Sequence, residues 1–368
     1  MSTKNTAKSD KKVFATKLSA YKKLLDADIA AYTKTVEKST LQQYGSQARL
    51  ATDAYLSLLG RGGKRIRGAL TMVGYEMSGG RDQKMIVQAA RAIEMMHAYI
   101  LIIDDIQDRS LTRRGGPTAH MQLADYHRKH QLADDPDHFG ISLALNSALL
   151  AGHMANTILA NLPGATENAR LKAVSIMNDT MATTAHGQTN DIMNEVVDTV
   201  DLQQVDDVLK WKTAHYTFLN PLYIGMVLAG AGDDATDAIT DYAMSAGRAF
   251  QITDDILGVF GTEFDSGKSP LDDIREGKRT VLTVYALEHT QNANKNFLIH
   301  MLGNQKLTPA EFRRCKDILV DCGALVYAKE VAADHVQAAL VALDAVRGSA
   351  EGKRFLRGLA EYLLVRTS

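Results

Sequence analysis

Cysteine and proline are scarce in this sequence of 368 residues. The two cysteines, Cys315 and Cys322, are too few for a disulfide framework, and a cysteine-based metal site would need further ligands beside them. We therefore expect two reduced thiols. The six prolines fall mostly between apolar segments of helical spacing, where they would mark the joints between helices.

An excess of charge of one sign is also missing. Lys and Arg number 42 against 43 Asp and Glu, which gives a formal net charge of -1. A chain with this balance has no overall positive field to attract nucleic acid, so we predict no nucleic-acid partner. Any site for a phosphate group must then be local.

Long hydrophobic runs are absent as well. No apolar run reaches the roughly 18 residues that a membrane-spanning helix needs, so no stable membrane insertion is expected. Residues 1–12 are polar and rich in lysine, which predicts a disordered tail and not an export signal. Together with the reduced thiols, these features predict a soluble, cytoplasmic protein.

What the chain does contain is helical periodicity. Apolar residues recur at spacings of three and four through long segments, and no convincing run alternates with a period of two. No stretch rich in Gly, Ser and Pro separates these segments as a linker would. We predict an all-α protein in which residues 13–368 form a single domain, a bundle of ten or more helices.

The most informative segment is 94–114. Its first half is almost wholly apolar, which predicts a buried helix that delivers Asp104, Asp105 and Asp108. Asp104 and Asp108 share a helix face, with His97 two turns earlier on the same side. Buried carboxylates this close repel one another unless a cation neutralises them, and Mg²⁺ suits a few carboxylates together with phosphate oxygens. The alternative is a solvated helix end.

A second acidic segment follows the same plan. A predicted apolar helix ends in Asp254 and Asp255, with Gln251 one turn earlier, and a loop that contains Lys268 comes next. Two such helix ends, each followed by Lys or Arg, favour a metal cluster with a cationic rim over two unrelated solvated ends.

Segment 60–67 is a basic loop with the sequence Gly-Arg-Gly-Gly-Lys-Arg-Ile-Arg. Its three glycines and four cations allow backbone amides and side chains to converge on a multiply charged anion. The spacing is not that of a Walker loop, and an exposed basic loop is the alternative. Arg113 and Arg114, which follow the first acidic cluster, would also suit a phosphate group.

These motifs, in this order, resemble the trans-isoprenyl diphosphate synthases, the polyprenyl synthetase family. The resemblance extends from about Leu59 to the C-terminus, and the block from Lys212 to Leu222 looks most like the actinobacterial-type branch. It implies an all-helical fold with a central cavity between the two Asp-rich helices, usually in a homodimer. It also implies a magnesium-dependent reaction of small-molecule prenyl diphosphates. An allylic diphosphate (dimethylallyl, geranyl or farnesyl) ionises, condenses with isopentenyl diphosphate and loses a proton.

The resemblance implies a role for each matched residue. Three Mg²⁺ ions on the allylic diphosphate would be held by Asp104, Asp105, Asp108 and Asp254, with Asp255 beside them. The allylic diphosphate would contact Arg113, Lys212, Thr213, Gln251 and Lys268. Lys212 and Lys268 would be catalytic together with the metal-binding aspartates. Isopentenyl diphosphate would be bound by Lys64, Arg67, His97 and Arg114. Gln188 and Asp191 match a Gly-Gln-x-x-Asp segment, in which Asp191 would be an outer-shell metal ligand.

Three positions depart from the family pattern. Gly258 stands where many members have the third Asp of the second motif, so that motif retains only Asp254 and Asp255. Asn146 and Ser147 stand where Gly-Asp is frequent, and we interpret that position as packing and local hydrogen bonding. Ile103 precedes the first motif where His is frequent.

The length of the product should depend on the helix that leads to Asp104. At about 1.5 Å per residue, Ile100 and Tyr99 would lie roughly 6–7.5 Å down the tunnel, with Met96 one turn deeper. One aromatic residue there and an uninterrupted Asp-Asp-x-x-Asp motif resemble geranylgeranyl diphosphate synthases, which stop at twenty carbons. A farnesyl or longer-chain product, and a Tyr99 that merely fills the core, are the alternatives.

Three rival functions fit less well. A terpene cyclase would mix Asn, Ser and Glu in its second metal motif and would need no second diphosphate site. A non-catalytic subunit of a hetero-oligomeric synthase would tend to lose its aspartates, and both clusters are intact here. A di-iron bundle, suggested by Glu94 and His97, would need a second Glu-x-x-His motif, which the sequence does not contain.

Overall fold

The computed structural model describes residues 2–262 and 270–365, with side chains from residue 9 onward. Nearly all regular structure in these residues is helical, as the apolar spacing predicts. The first helices are α1 (Ser2–Gly60), α2 (Ile66–Met77), α3 (Gln83–Gln107), α4 (Ala119–Lys129), α5 (Pro136–Ala160) and α6 (Glu167–Val196). They are followed by α7 (Leu202–Val208), a π-helix (Leu209–Leu219), α8 (Asn220–Leu228) and α9 (Asp233–Phe260). The C-terminal helices are α10 (Asp272–Glu276), α11 (Val281–His289), α12 (Asn292–Met301), α13 (Pro309–Asp321), α14 (Ala324–Ala345) and α15 (Ala350–Val365).

The chain divides into two compact units. Unit 1 comprises Met1–Ala15, Ile176–Tyr223 and Ala231–Ser368, and unit 2 comprises Thr16–Ser175 and Ile224–Gly230. The expected all-α architecture of ten or more helices is confirmed within the described ranges. The single domain over residues 13–368, with its central cavity, stays a prediction.

A two-stranded hairpin stands between α3 and α4. Strands β1 (Thr112–Arg113) and β2 (Gly116–Pro117) pair antiparallel, with Arg113 opposite Gly116. Arg114 and Gly115 form the two-residue loop and both have positive φ, 52° and 71°. This backbone conformation is typical of a tight hairpin turn and suits glycine at the second position. The hairpin returns the chain directly to the end of α3.

Helix α1 begins at Ser2, within the segment 1–12 for which the composition predicts a disordered tail, and that tail stays a prediction. Within unit 1, Asp10 is buried, with 3% of its surface exposed, and accepts a hydrogen bond of 2.8 Å from Arg354 Nε on α15. A Cβ atom on Gly358 would collide with the carbonyl oxygen of Asp10, so α15 approaches the N-terminal segment very closely. The polar composition of this segment did not reveal its partner, which lies more than 300 residues away in the sequence.

In unit 2, α5 packs against α3 and α4 through a face of small residues. Ala144, Ala148 and Ala151 on this face are fully buried. A Cβ atom on Gly140 would collide with the backbone of α4 at His120, so no larger side chain fits there. The small face allows the close packing that positions α3, which carries the first acidic cluster.

The outward face of α5 is apolar instead of polar. Ile141, Leu145 and Leu149 recur every four residues and are 37%, 43% and 51% exposed. Helices α3 and α5 are also the two helices of the described chain that are long and apolar enough, by composition, to cross a membrane. The apolar window of α3 is 67% buried inside the protein, as in the core helix of a soluble protein, whereas that of α5 is 39% buried.

One expectation on α5 needs correction. Ser147 is fully buried and packs as expected, but its hydroxyl oxygen has no hydrogen-bond partner among the described residues. The position therefore contributes packing without the expected local hydrogen bond.

Unit 1 is organised around α9. Helix α9 packs against the π-helix, α14 and α15. Tyr242 on α9 is fully buried and donates a hydrogen bond of 2.7 Å to the carbonyl oxygen of Leu356 on α15. Farther along the chain, Ile274 and Cys315 belong to one apolar cluster with residues of α11 to α14. Cys315 and Cys322 are both free thiols, as expected.

Candidate active site

The first acidic cluster lies at the C-terminal end of α3. Asp105 has only 1% of its surface exposed, although it is an ionisable residue. Arg113 in strand β1 donates from Nε to Asp105 Oδ1 at 2.7 Å and from Nη2 to Asp104 Oδ2 at 3.4 Å. Burial lowers the pKa of Arg113, but the nearby Asp105 and Asp104 outweigh it and raise that pKa above its usual value. The sequence predicts that Arg113 binds a phosphate group. In the structure Arg113 is hydrogen-bonded to Asp104 and Asp105, two of the predicted metal ligands.

The next residue, Arg114, reaches the basic loop. Its Nη1 donates to the carbonyl oxygen of Leu58 at 3.3 Å. A Cβ atom on Gly63 would lie 3.2 Å from Arg114 Cζ, and Gly63 has φ of 128°. Glycine therefore serves this position in two ways, since it adopts the backbone angle and leaves room for the guanidinium group. Burial lowers the pKa of Arg114 to about 10.

The basic loop is held to α3 by a buried ion pair that the sequence analysis missed. Arg65 has φ of 53° and a side chain that is 1% exposed, and its Nη1 donates to Glu94 Oε2 at 3.1 Å. The other carboxylate oxygen of Glu94 accepts from the backbone N–H of Gly68 at 3.0 Å. Glu94 thus binds both the loop and the start of α2. A Glu within an apolar helix is the signal that could have identified this pair.

Arg65 also donates from Nε to Asp26 at 2.9 Å and from Nη2 to the carbonyl oxygen of Leu59 at 2.7 Å. Its charge is therefore compensated by two carboxylates within unit 2. The neighbouring Arg67 contacts a histidine: its Nη1 lies 3.2 Å from His97 Nε2. Burial lowers the pKa of His97 well below its usual value, and the charge of Arg67 lowers it further. His97 is therefore neutral at pH 7 and offers one donor and one acceptor.

The second acidic cluster lies on α9 in unit 1. Thr213 Oγ1 donates to Gln251 Oε1 at 2.9 Å, and Gln251 Nε2 donates to Asp255 Oδ1 at 2.7 Å. Burial raises the pKa of Asp255 well above its usual value, and the nearby Asp273 and Asp254 raise it further against the effect of the Gln251 hydrogen bond. Three carboxyl groups therefore share one small region, where their mutual repulsion would be relieved by a cation.

The π-helix places Lys212 and Thr213 beside this cluster. Lys212 Nζ donates to Asp191 Oδ2 on α6 at 2.6 Å, an ion pair in which Asp191 is largely buried. A Cβ atom on Gly187 would collide with the backbone N of Lys212, and one on Gly247 would lie 2.5 Å from Ala214 Cα. Two glycines thus admit the wider turn of the π-helix, a conformation that is rare and often found at functional sites.

The structure brings most of the expected site residues into two groups, one in each unit. In unit 2, Asp104 and Asp105 meet Arg113, while Arg67 meets His97. In unit 1, Asp191 meets Lys212, and Gln251 links Thr213 to Asp255. Gln188 lies on α6 beside Gly187 and is half-buried. Lys268 lies outside the described residues.

Comparison with known proteins identifies the family. The sequence profile of the polyprenyl synthetase family matches residues 48–319, about three quarters of the chain. The chain belongs to this family. As a polyprenyl synthetase, it is a trans-prenyltransferase, in agreement with the resemblance found in the sequence.

The alignments with individual relatives extend over most of this polyprenyl synthetase. The geranylfarnesyl diphosphate synthase of Aeropyrum pernix is 31% identical over 321 residues, which are 85% of this chain and 93% of the relative. The geranylgeranyl diphosphate synthase of Saccharolobus solfataricus is 30% identical over 322 residues, 87% of this chain and 92% of the relative.

One solved structure is similar in both fold and sequence. It is the geranylgeranyl pyrophosphate synthase of Corynebacterium glutamicum, complexed with isoprenyl diphosphate and magnesium. Its TM-score is 0.89 at 29% identity, and the match covers 95% of this chain and 99% of that one. The all-α fold is thus that of isoprenyl diphosphate synthases.

Proposed function

We propose that this polyprenyl synthetase condenses isopentenyl diphosphate with an allylic diphosphate and releases geranylgeranyl diphosphate. The observation that carries the proposal is the arrangement of charge along α3 in unit 2. The acidic end of the helix holds Asp104 and Asp105, and two turns earlier His97 contacts Arg67. This arrangement supports a site for metal ions at one end of the helix and a separate site for an anion two turns earlier. An enzyme with a single diphosphate substrate would not need both.

The anion site would take isopentenyl diphosphate. Arg67 and Arg114 bring two guanidinium groups to the region of a neutral His97, while Arg65 is already compensated by Glu94. Their planar groups suit phosphate oxygens, and the neutral His97 adds a hydrogen bond without further charge. Lys64 in the same loop would complete the site.

The donor chemistry of both acidic clusters fits magnesium. The proposed ligands are the carboxylates Asp104, Asp105, Asp108, Asp254 and Asp255, and three ions per site are proposed from the family resemblance. Among the described residues, no three His, Cys, Asp or Glu side chains converge closely enough to hold an ion alone. Mg²⁺ suits carboxylate ligands, because it is commonly held by one or two carboxylates together with substrate phosphates. Bound Mg²⁺ would supply positive charge to the diphosphate leaving group.

The side chains would act around the allylic diphosphate as follows. Arg113 and Lys212 add positive charge beside the leaving group, which favours breaking the carbon–oxygen bond to give an allylic cation and diphosphate. Gln251 and Thr213 orient the neighbouring carboxylates through the hydrogen bonds already formed. Lys268 has the same proposed role as Lys212. The anion site holds the double bond of isopentenyl diphosphate toward the cation, and apolar residues exclude water.

Condensation ends with the loss of one proton. The new carbon–carbon bond leaves a second carbocation, which becomes an alkene when the adjacent proton departs. The released diphosphate is the proposed base, because no side-chain base is evident at the expected carbon centre. The apolar positions Tyr99, Ile100 and Met96 would limit the length of the tail at twenty carbons, with a farnesyl or longer product as the alternative.

A homodimer is proposed from the exposed face of α5. The row of Ile141, Leu145 and Leu149 forms an apolar surface on one side of the helix. Surfaces of this kind on soluble proteins commonly mark an interface, and a second copy of the same helix would match it in length and polarity. We place the protein in the cytoplasm because its thiols are free and its substrates are small soluble molecules.

The proposal is tested by product analysis. The enzyme is incubated with labelled isopentenyl diphosphate and dimethylallyl, geranyl or farnesyl diphosphate, with Mg²⁺ and then with a chelator. A twenty-carbon product that requires the metal is expected, and Asp104→Ala and Asp254→Ala should each abolish it. A fifteen-carbon or much longer product would retain the reaction and reject the length assignment. No condensation with any starter would favour a non-catalytic subunit.

A further inference from the structure

Arg61, a cation of the basic loop, contacts the hairpin that carries Arg113 and Arg114. Its Nη1 donates to the carbonyl oxygen of Pro117 at 2.6 Å and to that of Arg113 at 3.3 Å. One acceptor lies on strand β2 and the other on strand β1. A single guanidinium nitrogen therefore binds the backbone of both strands of the hairpin.

The second terminal nitrogen of Arg61 fixes the guanidinium group to two helices. Nη2 donates to Ser57 Oγ on α1 at 3.2 Å and to Gln122 Oε1 on α4 at 3.3 Å. Burial lowers the pKa of Arg61, whereas the nearby Asp105 raises it. A guanidinium group carries five N–H donors in one plane, so this side chain joins α1, the hairpin and α4 at once. All of these residues belong to unit 2.

Gly116 on β2 leaves the space that Arg61 occupies. A Cβ atom on Gly116 would lie 2.8 Å from Arg61 Nη1 and 2.9 Å from its Cζ. Gly116 has no positive φ, so the backbone angle does not require glycine there. The neighbouring Gly115 differs, since its φ of 71° belongs to the turn itself. The missing side chain at 116 is therefore what allows the guanidinium group to approach the strand.

The hairpin needs such an anchor because it is short. Its strands have two residues each, and a two-stranded hairpin alone is at best marginally stable in water. Thr118, which is fully buried, closes its base. The backbone N of Thr118 donates to the carbonyl oxygen of Leu111 at 3.1 Å, and its Oγ1 donates to that of Ser110 at 2.9 Å. Arg61 holds the part of the hairpin beyond this base.

We propose that Arg61 is a positioning residue for both substrates, because it fixes the backbone from which Arg113 and Arg114 extend. Arg113 lies at the proposed allylic site beside Asp105, and Arg114 lies at the proposed isopentenyl diphosphate site beside Gly63. Two neighbouring residues on one anchored hairpin keep the spacing of the two sites constant. This inference rests on the proposed function and gives a role to a cation that the matched motifs do not include.

Direct binding of a phosphate group by Arg61 is the rival role, and a conservative change separates the two. Arg61→Lys keeps the positive charge, but an ammonium group does not reproduce the planar set of donors. Arg61→Lys and Arg61→Met should therefore both lower kcat/KM for isopentenyl diphosphate and for the allylic substrate by about tenfold or more, the result of displaced substrate-binding groups. Near-normal kinetics of Arg61→Lys, with activity lost in Arg61→Met, would show that Arg61 acts by its charge and would overturn the proposal.

Arg49→Met is the control for the loss of an arginine from α1. Arg49 forms an i,i+4 ion pair with Asp53 at 3.0 Å, and its side chain is 34% exposed. Ion pairs of this kind contribute little to stability, so kcat/KM for both substrates should stay within about twofold of the unaltered chain.

A change that leaves Arg61 in the chain tests the shared space directly. The methyl group of Gly116→Ala overlaps the guanidinium group, so kcat/KM should fall for both substrates. Thr112→Ala alters an exposed side chain of the same hairpin and should stay within about twofold of the unaltered chain. In an Arg61→Ala background, Gly116→Ala should cause less than about a twofold further loss, because the contact that it disturbs is already gone. Fully additive losses would contradict the proposal.

Thermal unfolding of each variant separates lost activity from lost structure. If Arg61→Ala does not fold, Gly116→Ala decides, since it removes no hydrogen-bonding group, and its unchanged kinetics would overturn the proposal. A loss confined to one substrate in Arg61→Lys would also contradict it, because the hairpin carries residues for both. Normal kinetics of all Arg61 variants, with condensation lost in Asp104→Ala, would reject this inference and leave the proposed function intact. Absence of condensation by the unaltered chain would instead refute the proposed function, and with it the role of Arg61.

Discussion

The aromatic ring of Tyr99 lies against the backbone of Gly152. A Cβ atom on Gly152 would approach Tyr99 Cδ2 to 3.3 Å, which is tight contact between helices α3 and α5 of unit 2. Glycine at 152 thus leaves room for the ring. The position of Tyr99, the proposed limit of the product tail, is set by a residue on a different helix.

Replacing Tyr99 by Ala should lengthen the product. Removal of the ring opens space beside Ile100 and Met96, so that the growing tail gains at least one five-carbon unit before it is stopped. Chromatography of the products after phosphatase treatment measures the change. Tyr44→Ala is the control, because Tyr44 is 66% exposed on α1. An unchanged product from Tyr99→Ala would show that the ring only fills the core.

Loss of Glu94 should selectively weaken isopentenyl diphosphate binding. Glu94→Gln would leave Arg65 without its buried partner and would loosen the loop that carries Lys64 and Arg67. We expect KM for isopentenyl diphosphate to rise about tenfold, equivalent to about 1.4 kcal/mol, with less change in KM for the allylic substrate.

Asp26→Asn provides the comparison, since Asp26 binds the same Arg65 but its side chain is 36% exposed. This variant should change KM only slightly, because partly exposed ion pairs contribute little. Parallel increases in KM for both substrates after Glu94→Gln would contradict a specific effect on the basic loop.

The neutral His97 should make stability depend on pH. Its pKa is lowered in the folded protein, so below the unfolded value of about 6.5 the unfolded chain binds a proton that the folded chain does not. Stability from His97 is therefore fully present above about pH 6.5 and is lost as the pH falls. The loss should therefore be measurable between pH 6.5 and pH 5.5.

Urea unfolding at pH 7.5 and pH 5.5 measures this effect. His97→Gln should lose less free energy of unfolding between the two pH values than the unaltered chain does. The comparison isolates His97, because the pKa values of His120, His215 and His335 are also lowered by burial and remain in both proteins. Identical pH dependence of the two proteins would show that His97 binds a proton as readily in the folded chain as in the unfolded one.

Gly247 should be essential for the π-helix. In Gly247→Ala, the added Cβ would lie 2.5 Å from Ala214 Cα, so α9 and the π-helix must separate. We expect destabilisation of about 1–3 kcal/mol, as for overpacked interiors, and a fall in kcat as Thr213 moves from Gln251. Gly232→Ala, at the N-cap of the same helix, has no atom within 4 Å of the added Cβ and should destabilise less than Gly247→Ala, although Ala is a poorer N-cap residue than Gly. Equal urea midpoints for the two variants would contradict this assignment.

Helix content and the acidic motifs were readable in the sequence because both are local. Spacings of three and four residues place apolar side chains on one face of a helix, and Asp104, Asp105, Asp254 and Asp255 follow directly from their neighbours in the chain. The family resemblance rested on the same local motifs, and the comparisons confirm it.

Only the tertiary structure determines which residues that are distant in the sequence contact one another. The pairing of Asp10 with Arg354, the burial of Arg65 against Glu94 and the contact of Gly247 with Ala214 have no local spacing that predicts them. Each depends on which helices pack together, because close packing forces a glycine where two backbones meet and a counter-charge where an ion is buried. The sequence by itself determined the helices and the chemistry available at their ends, and packing decided which of those groups meet.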